Sequence, residues 1–190
     1  MRALNLAMIT LGSAGLVSPA HAAVEPFASF AMGFAHPLGG IDHILAMVTV
    51  GVWGVVAGGR ALWVWPTVFV STMLAGFAAS TLGLQLPWVP AALYCSIIVL
   101  GLVVALAVRA PVFLGAALVG MFAFFHGHAH GTEAMAASLT AYGAGFALAT
   151  AGLHVGGIGV ALALEGSIGK LAVQTVGALT VLGGLALVGA

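Results

Sequence analysis

From Ile41 to Val188 the sequence is a near-continuous series of apolar runs joined by short loops. The six runs are Ile41–Gly58, Ala61–Leu82, Pro90–Val108, Pro111–Phe125, Ala136–Leu164 and Ile168–Val188. Most are about twenty residues long, which is what an α-helix needs to cross a ~30 Å hydrocarbon core. They do not alternate apolar and polar positions, so a membrane β-barrel is not indicated. Only 4% of residues are charged, against about 25% in a soluble domain. Four basic and four acidic side chains cannot cover the surface of a soluble fold. The 28 glycines fit helices that pack closely within a bilayer. The expected class is an all-α integral membrane protein.

The first 22 residues have the pattern of a secretory signal. Arg2 is the positive n-region, Ala3 to Val17 the apolar stretch, and Ala20-His21-Ala22 the cleavage site. Ala3 to Val17 is short for a membrane span. Cleavage after Ala20 is the other position open. Removal of residues 1–22 leaves one six-helix transmembrane domain, residues 23–190, with its N-terminus outside. Six crossings then place Arg60, Arg109 and Lys170, the basic residues after the signal, on the cytoplasmic side, as the positive-inside rule requires. The same threading puts Glu25, His36, Asp42, His43 and the stretch His126 to Glu133 outside. Run Pro111–Phe125 is the shortest, and its helix is expected to continue into the histidines that follow. Run Ala136–Leu164 is the longest, and Gly156, Gly157 and Gly159 are candidate break points within it. Trp53, Trp63, Trp65 and Trp88 stand near expected helix ends and read as interfacial anchors.

Several function classes drop out. With basic and acidic residues balanced there is no basic patch for nucleic acid. Cys95 is the single cysteine, so neither a disulfide nor a CxxC site can form. No GxxxxGK[ST] loop occurs, so no ATPase is expected in the chain.

Two constellations carry chemistry. In His36-Pro37-Leu38-Gly39-Gly40-Ile41-Asp42-His43 two imidazoles and a carboxylate sit at the head of a membrane helix. Imidazole suits Ni, Co, Cu and Zn, and a carboxylate adds an anionic oxygen. Pro37 and the glycine pair point to irregular backbone, allowed at membrane depth only where protein covers it or a cavity is lined. The bland reading makes Asp42 a helix cap and the histidines interfacial. The second constellation is Phe125-His126-Gly127-His128-Ala129-His130-Gly131-Thr132-Glu133. At about 100° per residue, His126, His130 and Glu133 converge on one helix face and His128 lies opposite. A helix-borne site would use the first three, with His128 peripheral. The bland reading is a histidine-rich loop that scavenges metal. The pattern is not HExxH, so a zinc protease is not indicated. His154 is deeper in its run, toward the cytoplasmic half. It reads as a relay ligand or as a helix–helix hydrogen-bonding residue.

The stretch Gly33 to Met47 (GFAHPLGGIDHILAM) resembles the first signature of the HupE/UreJ family. Phe125 to Glu133 resembles its second, and Leu148 to His154 also looks like the family. The resemblance extends over essentially the whole chain. It implies a bacterial inner-membrane permease for nickel, sometimes cobalt, serving hydrogenase or urease systems, and not an enzyme. It implies His36, Asp42, His43, His126, His130 and Glu133 as metal ligands, with the second motif variable at His128. The metal is then cargo, and no permanently held cofactor is expected. The implied partners are the divalent ion and the lipid bilayer; the oligomeric state stays open. Two alternatives remain from the residues: a periplasm-facing metal sensor or chaperone, and a membrane oxidoreductase with histidine-ligated haem or di-iron.

Overall fold

The computed structural model describes residues 19–164 and 169–189. It contains seven α-helices and, among the described residues, no strand. They are α1 Pro19–Gly39, α2 Ile41–Ala57, α3 Ala61–Thr81, α4 Val89–Ala105, α5 Val112–Glu133, α6 Leu139–Ala163 and α7 Gly169–Val188. The apolar runs read from the sequence correspond to α2 through α7. As expected, α5 runs on through the histidines to Glu133. The signal expectation falls chiefly on residues 1–18, outside the described residues.

Three sequence expectations are corrected, and a fourth is met in part. The segment before Ile41 is a helix of 21 residues despite Pro26 and Pro37. Irregular backbone shrinks to Gly40, which is extended at φ −109° and ψ 120°. There the chain bends by 82° between Glu25–Gly39 and Ile41–Ala57. The expectation of six spans is the one met in part. Helices α3, α5, α6 and α7 are each long and apolar enough to cross a membrane, and α1 with α2 make a fifth if taken as one broken span. Helices α2 and α4 have only 17 residues each, about 26 Å at 1.5 Å per residue. Helix α6 is unbroken through its glycines. Gly157 serves contact instead, since a Cβ there would strike the Val48 carbonyl of α2. Lastly, Trp53 and Trp65 are fully buried rather than interfacial.

Those two tryptophans organise one end of the bundle. Their rings lie 4.1 Å apart. Trp53 Nε1 donates to the Val108 carbonyl at 2.9 Å and Trp65 Nε1 to the Val112 carbonyl at 2.8 Å. Both bonds pin the α4–α5 connection against the α2–α3 end. Arg109 and Lys170 line one cavity at this end, and Arg60 sits in the α2–α3 turn. The three basic residues are thus gathered at one end of the molecule. The opposite end holds the α1–α2 bend and the C-terminus of α5, where His36 meets Glu133. Membrane helices gain little from hydrophobic association and rely on close backbone approach at small residues. Helix α5 docks on α3 in this way: a Cβ on Gly127 would strike the Met73 carbonyl, and one on Gly131 would lie 2.6 Å from the Phe77 carbonyl.

Candidate metal site

The glycines of the second constellation set the direction of its histidines. Gly127 and Gly131 are one turn apart and both face α3. The residues preceding them, His126 and His130, are therefore rotated about 100° from α3, toward the α1–α2 bend. His128 is rotated the other way. Its Nε2 donates to the Leu84 carbonyl at 2.7 Å, in the α3–α4 connection, so it is turned away from the other histidines.

At the α1–α2 bend, Gly40 lies against the side chains of His43 and Asp42, which a Cβ there would push aside. The bend brings three groups together. One ligand atom from each of His36, His130 and Glu133 lies within 4.8 Å of the others. His36 Nε2 is 3.8 Å from Glu133 Oε2. His130 is fully buried, and neither of its ring nitrogens has a hydrogen-bond partner. An imidazole buried without partners is costly unless something completes it. Glu133 by contrast is exposed, at 62% of its side chain. The trio therefore spans from solvent to interior. A cavity of ≈ 650 Å³ opens onto it, lined by His36, His43, Glu133, Tyr142 and two methionines, Met32 and Met135.

The remaining predicted residues extend the trio inward. The His43 ring is 4.5 Å from that of His130 and 6.0 Å from that of His36. Asp42 Oδ1 is 2.8 Å from His43 Nδ1, outside hydrogen-bonding geometry but close enough for strong attraction if the imidazole is charged. His126 lies 6.0 Å beyond His43. Its Nδ1 donates to the Phe122 carbonyl at 3.0 Å, since a carbonyl can only accept. That bond leaves Nε2 with the lone pair a metal needs. His126 is not part of the compact trio, although it shares their helix face. It stands seven positions before Glu133, about 10 Å of rise deeper along the helix. His154 stands apart from the cluster, buried and with both ring nitrogens unpartnered.

Three aromatic residues escaped the sequence reading. Phe146 is 4.3 Å from His130, and Tyr142 is 6.0 Å from His36; both wall the trio. Phe69 lies 5.7 Å from His126 and 4.9 Å from His154, so its ring neighbours both. Nothing marks these residues within apolar runs.

A helical multi-pass membrane protein with a histidine–carboxylate cluster at one end fits a metal-transport family rather than an enzyme family. The sequence model of the HupE / UreJ protein family matches residues 7–187, and the chain belongs to this family. It is 43% identical to Protein HupE of Rhizobium leguminosarum bv. viciae over 180 residues, 94% of each chain. No solved structure matches it.

Proposed function

We propose that the protein is a secondary permease that takes up Ni²⁺, and Co²⁺ as a second cargo, across the bacterial inner membrane for hydrogenase or urease maturation. The observation that carries this reading is the meeting of His36, His130 and Glu133 within 4.8 Å at the mouth of a cavity. A mixed imidazole–carboxylate set suits these ions. Glu133 and Asp42 offset the ion's charge, while imidazoles replace its water. Because Glu133 is exposed, capture starts at a hydrated edge, and an incomplete cage allows release. The ion passes from the trio to His43 and His126, and past Phe69 to His154, the inner relay ligand. In the matching topology the signal is cleaved, the N-terminus and the trio face the periplasm, and six passes put Arg60, Arg109 and Lys170 in the cytoplasm. An inside-negative potential then favours entry by about 4.6 kcal/mol for a divalent ion at 100 mV. Nickel accumulation by cells lacking other nickel importers tests the reading: expression of the chain should restore it, and expression of Glu133→Gln should not.

Two further outcomes follow. His154→Ala should leave nickel binding in detergent near normal while strongly reducing uptake. A purely structural histidine gives the opposite pattern, a lower melting temperature with normal uptake per folded molecule. Metal ligation also requires neutral imidazole, whose reference pKa is about 6.5. Protons compete with the metal for these nitrogens, and a buried imidazole resists protonation, so affinity should hold through neutral pH and fall only in acid below that reference value. Binding isotherms that tighten as pH falls toward acid would contradict imidazole ligation.

A further inference from the structure

The opposite end of the molecule holds a cavity of different chemistry. Its volume is ≈ 440 Å³. Val55 and Val56 of α2, Ala161 of α6 and Val173 of α7 give it apolar walls. The charged residues among its described lining are Arg109, from the α4–α5 connection, and Lys170, in the first turn of α7. Both are exposed at the cavity's edge. Among the described residues, Asp42 and Glu133 lie at the other end of the bundle; Glu165 falls outside the described residues. Two cations beside an apolar recess repel a divalent cation, so this cavity does not continue the histidine series. It complements an amphipath with an anionic head and a hydrocarbon tail. An inorganic anion would satisfy the cations but not the valines.

We propose that this cavity binds one anionic phospholipid, the net negative charge of its headgroup, uncompensated by a headgroup cation, held by Arg109 and Lys170 and the start of an acyl chain laid against Val55, Val56 and Val173. Basic recesses between membrane helices recognise such headgroups, and each basic residue contributes about a fivefold gain in affinity. The bound lipid ties α2, α6 and α7 together at this end. This site is independent of the metal reading, since it requires only that the helices lie in a bilayer.

The test uses the full-length protein, delipidated in an uncharged detergent. Phosphatidylglycerol and phosphatidylcholine with the same acyl chains are titrated separately, with bound lipid read by native mass spectrometry and stability by melting temperature. Phosphatidylglycerol should bind about 30-fold more tightly and raise the melting temperature. Arg109→Gln/Lys170→Gln should abolish that preference. Arg60→Gln should keep it, because Arg60 packs over Trp63 outside the cavity. Should the double variant fold poorly, each single variant should lose about fivefold. Equal binding of the two lipids by the unaltered protein, or a preference that survives the double substitution, would overturn the proposal. Full displacement of the lipid by millimolar inorganic phosphate would also overturn it, by reducing the site to one for free anions.

Discussion

Tracer nickel uptake at limiting metal is expected to fall at least about 100-fold in His130→Ala, with the protein still folded and inserted. Loss of a supporting outer-shell partner already costs 10- to 100-fold in metal affinity, and His130 is argued to be a direct ligand. It stands between the two halves of the site, within reach of His36 and Glu133 on one side and 4.5 Å from His43 on the other. Removing it therefore opens the trio and interrupts the route inward. His128→Ala is the matched control on the same helix. Its ring is held by the Leu84 carbonyl, so a small stability loss and nearly normal uptake are expected. Equal damage from both substitutions in normally inserted proteins would remove the basis for assigning the two helix faces.

Gly127→Val is expected to deplete folded protein altogether. A side chain there runs into the Met73 carbonyl, and backbone cannot swing aside as a flexible side chain can. Helices α3 and α5 would have to separate along the contact that also orients His126 and His130. Overpacking typically costs 1–3 kcal/mol, and a clash with main chain belongs at the upper limit or above. Gly152→Ala in α6 is the contrast, because nothing lies within 4 Å of a Cβ there. That change should be neutral or stabilising by up to about 1 kcal/mol, from helix propensity alone. Thermal unfolding of the variants in detergent, with membrane yield, measures both effects.

The sequence reading succeeds where residue type decides. Length and apolarity mark α2 to α7, and histidines beside carboxylates mark the two constellations more than eighty positions apart. It misses α1 because Pro37 and the Gly39-Gly40 pair look like irregular backbone, whereas the chain stays helical until Gly40. It groups His126 with Glu133 because a helical projection shows angle and hides the rise of about 10 Å between them. The glycines of the second constellation are legible as motif but not as cause. Only the packed helices show that Gly127 and Gly131 seat α5 on α3 and so aim the neighbouring histidines. Gly157 is misjudged for the same reason, as a breaking point where the partner helix needs space. Phe69, Tyr142 and Phe146 leave no trace, since phenylalanine and tyrosine are ordinary in apolar runs and gain meaning only from the rings they face.

The central claim is that the cluster captures an ion that the protein then carries across the membrane. The most direct measurement is entry of radiolabelled nickel into sealed, metal-free liposomes containing the purified protein, under an imposed inside-negative potential. Uptake should saturate with external nickel, rise with the potential, and disappear in Glu133→Gln protein. Nickel that binds to the proteoliposomes but never enters their lumen, at any potential, would contradict transport and leave a membrane metal sensor or chaperone in its place.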